Sequence, residues 1–418
     1  MKRWILLLSI QMLLIPEREK SENLPYEVVV VEQGAGRVAL LEPHTGAQRG
    51  AVSVGNSPHE LAITSDGRFA YVSNFGLSDK DRAIGTPGDS VSIVDLTTQT
   101  ETKRLNTAPF KAPHGVTLRP PAENELYVNV EQGETMLVFS TTSGRLLRQF
   151  SVPGGTHNFV FSSDGRVLFL MAASNGVARV DPDTGTILQR FKDDGPIRGL
   201  SWTSSGKHLL ASGRNKLLFL DPTTLAVERS IANLSVGQIV YSAMTPDGKH
   251  ILAPCPIDQK VLLVESSTGK VVSTLIAGKD PIAVAIAPDG RTAYVSNGAD
   301  DHASAIDLGT FDIRPFGKVL VTNGIGFRTT GNRQGQSDCV VTRQPDRSAQ
   351  HHPTAVKNAL DDAMKGKQGR TGQVAQQNHR FVTRGGRAMR DFVDSSRVAA
   401  SIIASLLLKM LAAAVHGG

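Results

Sequence analysis

The sequence predicts an all-β protein: a seven-bladed β-propeller of four-stranded antiparallel blades, closed by strands from both ends of the repeat region in one composite blade. Three observations predict this fold. A stretch with the pattern of a tight β-hairpin recurs along the chain, a second hairpin-like stretch follows each copy, and incomplete copies stand at the two ends of the repeats. Four strands per repeat with no helical period between them are typical of propeller blades.

The N-terminal residues 1–15, MKRWILLLSIQMLLI, place Lys2 and Arg3 before an apolar run. This is the pattern of a signal peptide, and the run is short for a membrane span. Pro16 and charged residues follow instead of a cleavage site with small residues. We therefore interpret residues 1–20 as a signal peptide or, alternatively, as an uncleaved N-terminal anchor. Either interpretation predicts an exported protein, in the periplasm or at the cell surface.

The incomplete copies explain how the ring closes. Residues 26–55 match the last three strands of a blade and lack the first one. The missing strand is found at residues 323–328, NGIGFR, after the last full repeat. A chain of this kind completes one blade from both termini, which removes the exposed sheet edges. Six full modules and this composite blade give seven blades within residues 26–328.

The clearest copy of the first hairpin occupies residues 281–297, PIAVAIAPDGRTAYVSN. Two apolar runs flank a Pro-Asp-Gly turn, in which Gly290 can adopt a positive φ without steric cost. Because both runs are apolar rather than alternating, we expect a sheet buried on both faces. Related stretches occupy residues 57–74, 112–130, 155–172, 196–212 and 237–253. Spacings of 41, 42 and 42 residues separate four turn glycines: Gly165, Gly206, Gly248 and Gly290.

Two copies end in Tyr-Val-Ser-Asn, at Tyr71 to Asn74 and Tyr294 to Asn297. With the Asp-Gly turns before them, they resemble the YVTN-repeat β-propellers, a family of extracytoplasmic proteins that includes surface-layer-type propellers of bacteria and archaea. The resemblance covers residues 26–328. It implies an exported propeller without implying one function, because such propellers serve as surface-layer proteins, binding modules and, among their relatives, enzymes.

The tail, residues 329–418, departs from the repeat pattern. It begins with a Gln-, Gly- and Arg-rich stretch of low apolar content, which predicts disorder. Residues 398–415 form an apolar segment that contains Lys409 and is marginal as a membrane span. The tail is either a surface anchor or a sequence read in a shifted frame, and the pattern leaves both interpretations open. Either terminus thus offers a segment for membrane association.

The balance of basic and acidic residues changes where the repeats end and the tail begins. Residues 1–328 contain 32 Lys and Arg against 33 Asp and Glu, whereas the remaining residues contain 13 against 6. The basic character of the protein therefore belongs to its tail. A nucleic-acid groove on the blades is not expected. We expect a monomer whose partner is a small molecule or a component of the cell surface.

Propeller topology assigns the loops to two faces. The Asp-Gly turns lie on one face; the loops between the second and third strands of each blade, and the connections between blades, lie on the other. This second face, the loop face, carries the irregular segments, where function is usually located on a rigid scaffold. The segments are residues 75–90, 108–113, 255–260 and 300–302.

Three histidines on the loop face form the most suggestive pattern. His59, His114 and His157 occupy the equivalent position in blades two, three and four, where the innermost strand begins. Imidazoles that converge from neighbouring blades are a suitable ligand set for a divalent transition metal. Carboxylate ligands are available nearby: Glu60, Glu131 and Glu32. The alternative is structural, with each histidine hydrogen-bonded to a loop carbonyl.

Other polar residues complete the predicted ligand-binding face: Asn74, Asn129, Asp300 and His302. For the asparagines, and for Asn297 in an equivalent position, the alternative is capping of backbone groups at loop entries. A carboxylate closes the third strand in five of the blades: Asp95, Asp181, Asp221, Glu265 and Asp307. These are expected to stabilise turns rather than to catalyse a reaction.

Several enzyme classes are excluded by missing motifs. With only Cys255 and Cys339, the chain has no Cys-x-x-Cys-His haem attachment, and it contains neither a Gly-x-Ser-x-Gly elbow nor a phosphate-binding loop. The first functional hypothesis is therefore a non-catalytic binding or scaffold protein that uses its loop face. A metal-dependent enzyme with the three-histidine site is the alternative. A lactonase-like hydrolase is a second alternative, for which Gly155-Thr156-His157 is only a partial signature.

Overall fold

Seven four-stranded antiparallel sheets are arranged as the blades of a ring in the computed structural model, which describes residues 26–78 and 83–330. The predicted all-β seven-bladed propeller is therefore confirmed. Secondary structure in these residues consists of 28 strands, β1 to β28, and one 3₁₀ helix. No helix among them has the length and apolar character needed to cross a membrane. The predicted signal segment and most of the tail lie outside the described residues.

Blades one to four take the following bounds. Blade one contains β1 (Tyr26–Glu32), the 3₁₀ helix (Gln33–Ala35), β2 (Arg37–Leu41), β3 (Gln48–Ser53) and β28 (Thr322–Thr329). Blade two contains β4 (Pro58–Ile63), β5 (Phe69–Asn74), β6 (Ser90–Asp95) and β7 (Thr100–Asn106). Blade three contains β8 (Lys111–Leu118), β9 (Glu125–Gln132), β10 (Thr135–Ser140) and β11 (Leu146–Ser151). Blade four contains β12 (Phe159–Phe161), β13 (Leu168–Met171), β14 (Val177–Val180) and β15 (Ile187–Phe191).

Blades five to seven repeat the arrangement. Blade five contains β16 (Gly199–Trp202), β17 (Leu209–Gly213), β18 (Lys216–Leu220) and β19 (Val227–Ile231). Blade six contains β20 (Ala243–Met244), β21 (His250–Cys255), β22 (Lys260–Glu265) and β23 (Val271–Leu275). Blade seven contains β24 (Pro281–Ile286), β25 (Thr292–Asn297), β26 (Ala303–Asp307) and β27 (Ile313–Phe316).

The composite blade closes the ring as predicted. Strand β28 pairs with β1 in antiparallel register, so that Phe327 lies opposite Val28 and Ile325 lies opposite Val30. The Phe327 ring meets the ring of Tyr26 edge-on, with centroids 5.6 Å apart. The same apolar cluster includes Tyr294 of blade seven, so closure buries side chains from the two ends of the repeat region together.

Blade six shows one departure from the repeat pattern. Its innermost strand, β20, has only two residues, although the repeat predicts a strand of ordinary length there. Pro254 lies in the neighbouring strand β21 and has no N–H to donate to an innermost strand. The backbone before β20 forms a hydrogen bond to β21 outside the regular strand pairing: the N–H of Val240 donates to the carbonyl of Pro254 at 3.0 Å.

The turn-closing carboxylates behave as structural groups. Asp307 accepts hydrogen bonds from the backbone N–H groups of Thr310 at 2.9 Å and of Gly309 at 2.7 Å, and these bonds lower the pKa of its carboxyl. Asp221 accepts two backbone N–H bonds in the same position of blade five, from Thr223 at 3.0 Å and from Thr224 at 2.7 Å. The pattern supports the interpretation that these residues stabilise turns.

These bonds predict a dependence of stability on pH. Because the folded-state pKa of Asp307 is lowered, its contribution is complete above the ordinary aspartate pKa of about 3.9 and is lost as the pH falls through the folded-state value. We expect Asp307→Ala to reduce the free energy of unfolding by about 1 kcal/mol at pH 7 and by less at pH 3. Urea denaturation at both pH values measures the difference. A penalty equal at both would contradict the assignment.

Candidate metal centre on the loop face

The structure brings the three predicted histidines together. His59 belongs to β4, His114 belongs to β8, and His157 lies two residues before β12. These innermost strands contact one another in pairs around the ring, β4 with β8 and β8 with β12. The three side chains are deeply buried, since the residues are only 4 %, 1 % and 8 % exposed, respectively.

The imidazole rings form a consecutive row with His114 in the middle. The ring centroids of His59 and His114 are 4.0 Å apart, and those of His114 and His157 are 4.8 Å apart. The two planes are tilted by 40° in the first pair and by 72° in the second. His114 is therefore in contact with both of its neighbours.

Two carboxylates lie beside this row. One oxygen of Glu131, from β9, lies 2.9 Å from Nδ1 of His157 and 3.6 Å from Nε2 of His114. One oxygen of Glu60, from β4, lies 3.5 Å from Nδ1 of His114. Both glutamate side chains remain accessible to solvent, with 19 % and 22 % of their surface exposed. We call these five residues, His59, Glu60, His114, Glu131 and His157, the His/Glu cluster.

The ligand atoms of the His/Glu cluster fall into two groups that share His114. His59, Glu60 and His114 form the first, and His114, Glu131 and His157 form the second. Within each group, the nitrogen and oxygen atoms that could hold a metal lie within 4.8 Å of one another. The predicted ligands Glu60 and Glu131 thus join the histidines. Glu32 is engaged elsewhere, since it accepts hydrogen bonds from Arg37 and from the N–H of Leu320 at 3.0 Å.

The side chain of Asn129 forms hydrogen bonds to the backbone next to two residues of the His/Glu cluster. Its amide oxygen accepts the N–H of Gly115 at 2.7 Å, and its amide nitrogen donates to the carbonyl of Thr156 at 2.7 Å. These partners are the residues next to His114 and His157 in the chain. Asn129 therefore links the histidine positions of blades three and four, which is the backbone-capping role that the sequence offered as an alternative for this residue.

Gly115 permits the two blades to approach each other closely. A Cβ atom at this position would lie 2.3 Å from the carbonyl oxygen of His157 and 2.7 Å from the amide oxygen of Asn129. A side chain of any kind therefore conflicts with the backbone carbonyl of His157. The glycine brings His114 and His157 within ring contact.

Phe75 is a contributor that the sequence pattern did not indicate. Its fully buried ring packs edge-on against His59, with centroids 5.4 Å apart, and against His114 at 5.0 Å. It is the first residue of the long segment 75–90, and its carbonyl accepts the N–H of Gly88 at 2.8 Å. An aromatic residue directly after the Tyr-Val-Ser-Asn strand was the available signal. Phe75 provides an apolar wall that limits the histidine rings to few orientations.

The other predicted loop-face residues lie outside the His/Glu cluster. Asn74 accepts the N–H of Gly55 at 3.0 Å and donates to the hydroxyl of Ser92 at 2.9 Å. Asp300 and His302 form a separate group with Asp301, in which Nδ1 of His302 lies 3.5 Å and 3.2 Å from the two carboxylates. Burial raises the pKa of the Asp300 carboxyl, but hydrogen bonds from the N–H groups of Lys279 and Asp301 outweigh it, and the pKa lies below its usual value.

Comparisons with known proteins support the fold and go no further. No protein-family model matches the chain, and no curated protein sequence matches it. Among solved structures, a chain of the hydrazine synthase of Kuenenia stuttgartiensis is similar, with a TM-score of 0.54 and 20 % sequence identity. The match covers 68 % of this chain and 92 % of that one. At this identity the likeness shows a shared propeller fold alone.

Proposed function

We propose that this protein binds a divalent transition metal in the His/Glu cluster and that its loop face binds a small ligand at this centre. The observation that carries the proposal is the convergence of three buried imidazoles with two glutamates. Imidazole suits zinc, copper and nickel, and a carboxylate is a common additional ligand. The negative charge of Glu60 and Glu131 would offset the charge of the ion, which a buried row of neutral rings alone could not do.

Covalent catalysis by a cysteine nucleophile is disfavoured by the state of the one described cysteine. Cys255 is fully buried, and burial raises the pKa of its thiol to about 12. The thiol therefore stays protonated near neutral pH and is a poor nucleophile. The metal-dependent-enzyme hypothesis would use the same His/Glu cluster. The lactonase-like hypothesis depends on His157 and stays a prediction.

Metal analysis of the purified full-length protein tests the proposal. After incubation with Zn²⁺, Cu²⁺ or Ni²⁺ and removal of the excess, we expect at least one tightly bound ion per chain. Combined substitution His59→Ala, His114→Ala and His157→Ala should abolish this binding, because it removes every imidazole ligand. The matched control is His208→Ala in blade five, where an imidazole also faces a carboxylate, 2.6 Å from Glu228. Equal metal content in the wild type and the triple variant would refute the proposal.

The proposal also includes export and a relationship to the YVTN-repeat propellers. Its support is the charged and apolar N-terminal segment and the Tyr-Val-Ser-Asn strands. Export is tested by fractionating the bacterial cells before purification and finding which fraction contains the protein. Recovery of the protein from the cytoplasmic fraction alone would remove export from the proposal and leave metal binding to be judged separately.

A further inference from the structure

His114 faces a different carboxylate with each of its ring nitrogens. Nδ1 points to Glu60, and Nε2 points to Glu131. His114 also belongs to two groups of candidate ligands, which His59 completes in one case and His157 in the other. The His/Glu cluster is therefore arranged as two half-sites, and His114 is the residue that they share.

The distances at His114 are longer than those of good hydrogen bonds. The two separations, 3.5 Å and 3.6 Å, exceed the usual N–H···O range of about 2.7–3.2 Å. Two ligands of one tetrahedral ion, each bound at about 2.1 Å, lie about 3.4 Å apart. The spacing of His114 from each glutamate thus fits a pair of atoms that bind the same ion.

We propose that His114 bridges two divalent metal ions, which deepens the proposed function and rests on it. Nδ1 of His114 binds one ion together with His59 and Glu60. Nε2 binds the other together with Glu131 and His157. The neutral ring carries one N–H, so bridging requires the loss of that proton to solvent, and the ring becomes an imidazolate.

Charge and coordination are balanced in this arrangement. The imidazolate and two carboxylates supply three negative charges against the four positive charges of two divalent ions. Each ion has three protein ligands and keeps a position open for a further ligand, as in zinc sites that bind substrate. The ions would be about 6 Å apart, from two metal–nitrogen bonds of about 2 Å and the width of the ring. This is wider than sites in which two ions about 3.5–4 Å apart act on one group.

Copper titration of the full-length protein, stripped of metal with a chelator, tests the bridge. Bound copper is counted as the difference between the wild type and the His59, His114 and His157 triple variant, so that copper elsewhere on the chain cancels. We expect two bound ions. The electron paramagnetic resonance signal should grow with the first ion and be mostly lost with the second, because the imidazolate couples the two spins.

Each result decides between the two proposals. Two ions with a lost signal support the bridge. One ion overturns the bridge and leaves the proposed function standing, whereas no ion overturns both. Two ions with an undiminished signal overturn the bridge, because they would show that the His/Glu cluster holds two uncoupled ions.

Single substitutions provide a second, independent readout. His59→Ala and His157→Ala each remove one half-site, so each variant should bind one copper ion with an ordinary, uncoupled signal. His114→Gln should weaken both half-sites and abolish the coupling. Circular dichroism and thermal unfolding confirm that each variant is folded, and His208→Ala serves as the unaffected control. Retention of the coupled signal in either His59→Ala or His157→Ala would overturn the assignment.

Discussion

A chain that ends at Val321 is expected to lose the cooperative unfolding of the propeller. This truncation removes β28, the innermost strand of blade one, and leaves the hydrogen-bonding edge of β1 open. It also removes Ile325 and Phe327, which cover Tyr26 and Tyr294 in the cluster between the first and last blades. We expect an aggregation-prone protein because a propeller that is open at one blade exposes both a sheet edge and apolar surface.

Two further chains distinguish loss of closure from the effect of shortening. A chain that ends at Thr330 keeps all of β28 and should unfold cooperatively, like the full-length protein. Phe327→Ala in the full-length chain keeps the strand but loses the buried ring, which should cost about 3–5 kcal/mol. Urea denaturation followed by tryptophan fluorescence measures all three proteins. Cooperative unfolding of the chain that ends at Val321 would show that β28 is dispensable for closure.

Gly115→Ala is expected to disrupt the His/Glu cluster. The added Cβ would lie 2.3 Å from the carbonyl oxygen of His157, and a backbone atom cannot move aside cheaply. Blades three and four must separate at this point, which should cost more than about 2 kcal/mol. Because metal ligands must be held within about 0.5 Å of their working geometry, we also expect the affinity for metal to fall at least tenfold.

Gly195→Ala is the matched control for this substitution. A Cβ there meets only Arg214, at an ordinary contact distance of 3.5 Å, and its φ lies outside the left-handed region. This variant should have nearly wild-type stability and unchanged metal content. The measurements are thermal unfolding and metal titration of both variants. Unchanged metal affinity in Gly115→Ala would show that close approach of His114 and His157 is not required for binding.

The histidine row was predictable because a repeat fold is regular. Equivalent positions of successive blades lie side by side around one axis, so His59, His114 and His157 had to be neighbours once the repeats were aligned. The contribution of Phe75 was not predictable in the same way. It belongs to a segment that only blade two has, and a feature present in one repeat has no equivalent from which its position can be inferred.

The sequence by itself determined the fold class, the number of blades and their closure. The pattern of apolar residues in the strands, the residue types in the turns and the length of the repeat are local properties. They can be read directly from consecutive residues of the chain. Only the tertiary structure decided that Glu60 and Glu131 face different nitrogens of His114, and that Asn129 ties the backbone beside His114 to the backbone beside His157. Those arrangements depend on side-chain directions and on distances between blades, which no local pattern encodes.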